Sequence, residues 1–116
     1  MNHKITLFGE ITVYAFAEKR LDANISGLIK GEFGDIVRNQ NVKKLVIDLS
    51  EVESCDSSGL STLLVANRLI SDVHGGLRVV CPSEKLLTLI KITKLDRVLR
   101  LCGSVDEAVR ELKALH

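Results

Sequence analysis

The run Asp56-Ser57-Ser58-Gly59-Leu60 sets a carboxylate, two hydroxyls and a glycine between an apolar strand-like stretch at 44–49 and a stretch with helical periodicity. A helix should begin there, and helix starts suit phosphate chemistry. Their first N–H groups lack intrahelical acceptors and carry about half a positive charge, so an anion gains roughly 0.3–1 kcal/mol at exposed sites. Ser57 and Ser58 are adjacent and point in different directions, so one can cap an orphan N–H while the other faces solvent. A hydroxyl held as a cap acceptor is a poor phosphoacceptor. The plainer alternative is that both serines merely cap and turn the chain. Asp56 either orients the neighbouring hydroxyl or contacts a partner, or it closes an Asx-type turn onto the following backbone. Gly59 either lets a partner approach the helix start or packs tightly in its first turn.

No other nucleophile or base has a comparable setting. His3, His74 and His116 lie at the chain ends and at a helix C-terminus, and none pairs with Ser57. The nucleophile pattern G-x-S-x-G is absent, and no lysine follows Gly59 to make a phosphate-binding loop, so catalysis is not expected. Asp48, inside an apolar strand, needs a compensating partner and reads as structural. As the acceptor of a receiver-like domain it would lack the acidic pair that holds Mg²⁺. Cys55, Cys81 and Cys102 are odd in number and far apart, which reads as buried, reduced thiols rather than disulfides or metal ligands. No metal or cofactor is expected.

The elements that must position Ser57 follow from hydropathy. Strand-sized apolar runs occupy 4–8, 11–16, 44–49, 77–81 and 98–102, with Gly9-Glu10 as a two-residue hairpin loop between the first pair. Between the later runs the spacing turns helical. Ile25, Leu28, Ile29, Ile36 and Val37 share one face, as do Leu60, Leu63, Leu64 and Ile70, after which Gly75-Gly76 predicts a left-handed stop with His74 in the last turn. Ser83 is the expected cap of a third helix, and Ser104 to Glu107 reads as a capping box opening a fourth, with Val105, Ala108, Val109, Leu112 and Leu115 as its stripe. The order β-β-α-β-α-β-α-β-α predicts a layered α/β domain over 1–116: a mixed central sheet, an N-terminal hairpin and four helices. The 44–49 strand should be its centre.

Composition excludes several functions. The 116 residues carry net charge +1 with both signs interspersed, and aromatics make up only 3%, so neither a phosphate backbone nor stacked bases would find a surface. The N-terminus lacks a signal-peptide core and no apolar stretch approaches membrane-spanning length, so a cytoplasmic protein without a membrane partner is expected.

In this topology the chain resembles the STAS domain family, most closely its stand-alone anti-sigma-factor antagonists. The resemblance rests on Leu45-Val46-Ile47-Asp48-Leu49-Ser50, then Cys55-Asp56-Ser57-Ser58-Gly59-Leu60, Gly75-Gly76-Leu77, Leu95-Asp96 and the 104–112 helix. It implies that Ser57, the first serine after the aspartate, is phosphorylated by a kinase that doubles as an anti-sigma factor, which leaves capping to Ser58. It also implies that the unmodified protein binds this kinase and frees the sigma factor, that a PP2C-type phosphatase reverses the modification, and that Asp22 lies near the site. Lys19 and Ser61 stand where the family commonly has glycine. The partner surface expected from this placement joins 57–60, including Leu60, to Ser61, Asn67 and Arg68 on the following helix and to the Asp22 turn. A phosphoryl group adds about −1.5 to −2 charges. Buried under a partner beside Asp56, a penalty of about 3 kcal/mol would weaken binding more than a hundredfold. The competing reading is a constitutive or transport-linked STAS scaffold that is never phosphorylated.

Overall fold

The computed structural model describes residues 3–115. Strands β1 (His3–Phe8) and β2 (Ile11–Phe16) form the hairpin, and Phe8 pairs with Ile11 across Gly9, whose φ of +62° closes the tight turn. A two-residue strand β3 (Arg20–Leu21) leads into α1 (Ala23–Gly34), which runs on through a wide π turn (Asp35–Asn39). Then come β4 (Lys44–Asp48), a second two-residue strand β5 (Ser54–Cys55), α2 (Ser57–Asp72), β6 (Gly76–Val80), α3 (Glu84–Ile92), a 3₁₀ turn (Leu95–Arg97), β7 (Leu101–Cys102) and α4 (Val105–Lys113).

The main sheet has the order β1-β2-β4-β6-β7, antiparallel at β1 and parallel elsewhere, so β4 is central as its apolar sequence requires. Parallel crossovers are right-handed. Because β2, β4, β6 and β7 are added in one direction, α1, α2 and α3 all fall on one face, over Tyr14, Phe16, Leu45, Ile47, Leu77 and Val79. The last helix, α4, covers the other face, where Ala108, Val109 and Leu112 meet Ile11, Val13, Val46 and Val80. On that face Arg78 is buried, and its guanidinium donates to Glu111 Oε1 at 2.8 Å and to the Leu77 carbonyl at 2.9 Å.

Several expectations are corrected. The stop after α2 is made by His74 itself, at φ +56°, with Gly75 N–H reaching the Ile70 carbonyl at 2.9 Å, and neither Gly75 nor Gly76 has positive φ. Leu28 is 65% exposed instead of joining the α1 core stripe, and Leu115 also faces solvent. The last strand shrinks to Leu101–Cys102, because a 3₁₀ turn at Leu95–Arg97 and a helical Leu99 N–H to Leu95 carbonyl bond of 2.8 Å occupy the preceding residues. In the α4 box, Ser104 Oγ accepts from Glu107 N–H at 3.1 Å, but Glu107 reaches back to Gly103 N–H, one residue earlier than usual. Ser83 caps α3 through the Leu86 N–H.

Candidate functional site

Two loops leave the carboxyl end of the sheet side by side and are laced together by the small β3–β5 ladder, with Arg20 opposite Ser54 and Leu21 opposite Cys55. The Lys19 carbonyl accepts from both Glu53 N–H at 2.7 Å and Ser54 N–H at 3.1 Å, and the Asp56 N–H reaches the Leu21 carbonyl at 3.3 Å. Lys19 has no positive φ, so this turn does not need a glycine there. The ladder sets the starts of α1 and α2 next to each other.

Each start is capped by an aspartate. Asp22 Oδ1 accepts from Asn24 N–H at 3.0 Å, and Asp56 Oδ1 accepts from Gly59 N–H at 2.9 Å. Asp56 Oδ2 also reaches across to Ala23 N–H at 3.3 Å. Capping is therefore the work of Asp56 and not of Ser58, a correction with a simple cause: the aspartate at the N-cap position reaches the third N–H first. Ser58 is half-buried and contributes its carbonyl, which accepts from Ser61 Oγ at 2.9 Å and Thr62 Oγ1 at 3.1 Å.

Gly59 is buried against β3. A Cβ there would fall 2.1 Å from the Leu21 carbonyl oxygen and 2.6 Å from Cys55 Sγ, so its place is fixed by internal packing rather than by room for a partner. Cys55 is half-buried rather than buried; burial, then the nearby Asp56 carboxylate and Cys81, push its thiol up to about 12. It is protonated at neutral pH and no nucleophile. Cys81 and Cys102 are buried, free and likewise raised by burial.

Ser57 is exposed on the first turn of α2, and its hydroxyl has no hydrogen-bond partner among the described residues. Ser57, Ser61, Leu64 and Arg68 recur at helical spacing and form the solvent-facing row of α2, about 16 Å long at 1.5 Å per residue. Leu60 does not belong to it. At 7% exposure it packs into the core with Leu63, which removes it from the expected partner surface. Asn67 is half-buried and sits beside the row, one step around the helix. Leu64, expected in the core, is 38% exposed on the row instead; counting four and seven residues from Ser57 would have found it.

Asp48 closes a local turn, its Oδ1 accepting from the Ser50 hydroxyl and from Ser50 N–H at 3.0 Å. His3 stacks on Tyr14 near Glu32, His74 ends α2 and His116 lies outside the described residues. The one grouping of metal-type donors among the described residues, Cys102, Glu107 and Glu111, lies at α4, where Glu111 pairs with Arg78 and Glu107 with Gly103 N–H.

The sequence matches the STAS domain family over residues 4–108, and the chain belongs to that family. A Thermotoga neapolitana protein carrying an anti-sigma factor antagonist name is 30% identical over 104 residues, spanning 90% of this chain and 92% of its own. The crystal structure of a Thermotoga maritima protein of that kind superposes with a TM-score of 0.86 at 25% identity, covering 96% of this chain and 94% of the other. The phosphorylated form of the Bacillus cell fate determinant SpoIIAA shares the fold, with a TM-score of 0.73 at 17% identity over 95% of this chain and 98% of the other. No helix among the described residues is long and apolar enough to cross a membrane.

Proposed function

We propose that this STAS domain is a cytoplasmic, phospho-switchable binding module and not an enzyme: unmodified, it binds an anti-sigma serine kinase so that a sigma factor is released, and phosphorylation of Ser57 ends that binding. The observation that carries the reading is the bare, solvent-facing hydroxyl of Ser57 beside a neighbour already committed to capping. The hydroxyl is free to meet a kinase active site because Asp56, and not either serine, satisfies the Gly59 N–H. Relatives named as anti-sigma factor antagonists support the same assignment.

The switch acts at the interface. A phosphoryl group on Ser57 would stand at the uncapped N–H groups of Ser57 and Ser58, which favour negative charge, so the fold tolerates it. Beneath a partner the same group must lose its water beside Asp56 and close to Asp22, both carboxylates. Ser61, Leu64 and Arg68 continue the contact along α2, with a PP2C-type phosphatase as the reversing enzyme.

The test is incubation with ATP and a candidate anti-sigma serine kinase, followed by intact mass and calorimetric titration of the kinase. An acid-stable phosphate on Ser57 is expected, with a loss of affinity beyond about a hundredfold for the phosphorylated form, and Ser57→Asp weakened in the same direction. Kinase binding that is equally tight with and without the phosphate would overturn the switch. A domain that binds but is never modified would instead be a constitutive scaffold.

A further inference from the structure

The sheet ends in the six-residue β1 on one side and the two-residue β7 on the other, and the β1 edge is unusually apolar for an exposed one: Ile5 is 45%, Leu7 70% and Phe8 42% exposed. Exposed edges are ordinarily blunted by prolines, bulges, charges or a covering element. Within β1 Lys4 and the imidazole of His3 are the only polar interruptions besides Thr6, and the pairing with β2 runs unbroken over all six residues. The edge is also anchored at one end, where His3 stacks on Tyr14 with ring centroids 4.8 Å apart and reaches Glu32 of α1 at 3.2 Å.

The hairpin fixes which backbone groups are free. Its hydrogen-bonded turn closes on Phe8 and Ile11, so Phe8, Thr6 and Lys4 point their N–H and C=O groups at β2, whereas Leu7 and Ile5 point theirs outward. The side chains of Ile5 and Leu7 lie on the α1 side, opposite Tyr14 and Thr12. The exposed Leu28 stands one turn before Glu32 in the same helical row, and Glu32 bonds the Tyr14 hydroxyl at 3.1 Å, so this row faces the hairpin.

We propose that β1 pairs antiparallel with β1 of a second copy of this chain about a two-fold axis at Thr6, joining the two five-stranded sheets into one. In this register the edge is complementary to itself, whereas setting Leu7 against Leu7 would oppose Ile5 to Gly9 and give up an apolar pair. Ile5 meets Leu7 of the second copy as a hydrogen-bonded pair, twice by symmetry, using the outward N–H and C=O groups of both. Thr6 meets Thr6, and Lys4 lies over Phe8 of the second copy, diagonal to Glu10 of that copy, so opposite charges approach. A shift that sets Ile5 against Ile5 would oppose Leu7 to His3 and lose the apolar match. Leu28 from each copy flanks the new apolar strip. Specific interfaces begin at about 1,200 Å² in total, and area alone does not set their affinity, so the dimer is sought over a concentration series. The Ser57 end of β4 lies two strands away and stays open, so this pairing stands independently of the phosphorylation reading.

Sedimentation velocity of the full chain over a micromolar to submillimolar series should show a monomer–dimer equilibrium. Leu7→Lys should weaken the dimer at least tenfold while leaving the circular dichroism spectrum unchanged, since Leu7 is mostly exposed. In Thr6→Cys, the opposed non-hydrogen-bonded positions sit about 4.5 Å apart at Cα, within disulfide reach, so oxidation should link two copies through the introduced thiols, mapped by peptide mass against the native cysteines. A chain that stays monomeric throughout the series, or a dimer insensitive to Leu7→Lys with no cross-link at position 6, would overturn the proposal.

Discussion

Asp56 holds two helices at once: its carboxylate caps α2 through the Gly59 N–H at 2.9 Å and reaches the Ala23 N–H at the start of α1 at 3.3 Å. The neighbouring cap, Asp22, is thus mechanically tied to the loop that carries Ser57. Asp56→Ala should cost about 0.5–2 kcal/mol, the usual range for a lost cap, whereas Ser58→Ala, whose hydroxyl caps nothing, should stay within about 0.5 kcal/mol. Because Asp56 touches α1 directly, Asp22→Ala and Asp56→Ala should not add. Urea denaturation of the single and double variants checks both statements.

Gly59 gives a sharper contrast. A methyl group at this position overlaps the Leu21 carbonyl oxygen, a backbone atom fixed by the β3–β5 ladder, so Gly59→Ala should destabilise by about 1–3 kcal/mol. Lys19→Gly, which installs the glycine that the family resemblance suggested for this turn, should bring no gain. The backbone there is not left-handed, so glycine would only add freedom to the unfolded chain. Thermal melts of the two variants, compared with the parent, separate these effects.

The contrast also shows what hydropathy could and could not convey. The order of elements along the chain, the hairpin and the position of Ser57 at a strand-to-helix junction follow from apolar runs and turn residues, which depend on neighbours in sequence. The β3–β5 ladder does not. Each of its strands has two residues, too short for any alternation, and they are brought together only by the tertiary fold. The assignment of capping to Ser58 failed for a related reason: Asp56, Ser57 and Ser58 are all competent caps, and the choice depends on the residue at which the helix begins, the feature sequence patterns locate least well. Leu28 and Leu64 failed because helical spacing identifies a stripe without saying how wide it is. Both sit at the margin of a buried face and look outward.

Cys55 predicts an alkaline limb. Its thiol is pushed up to about 12 in the folded protein from the ordinary 9.0 of a free cysteine, by burial first and by Asp56 second. The folded value is the higher, so the neutral thiol's contribution is fully present below about pH 9 and is lost as pH rises toward 12. Cys55→Ala should therefore flatten the loss of stability at high pH. The parent's Cys55 should react with iodoacetamide far more slowly at mildly alkaline pH than an unhindered thiol does, as mass spectrometry of the labelled peptide would show. Rapid labelling under those conditions would contradict the buried, protonated state.

The acid limb has the opposite sign and a different origin. Glu111 is held below the ordinary carboxylate range chiefly by its hydrogen bond with Arg78, a guanidinium buried under α4 whose other bond goes to the Leu77 carbonyl. In the unfolded chain the same carboxyl titrates near 4.5. With the folded value the lower of the two, the ionised pair stabilises the protein above that pH and its contribution fades as pH falls through the folded value. Protonation leaves a buried positive charge facing a neutral acid, and Glu111→Gln does the same at every pH. The melting temperature of Glu111→Gln should thus lie below that of the parent near neutral pH, and the gap should narrow as pH falls through the folded Glu111 value, where the parent loses the charge too. Because α4 covers the face opposite Ser57, kinase binding by Glu111→Gln should be unchanged at neutral pH, which separates the stability of the fold from the chemistry of the site.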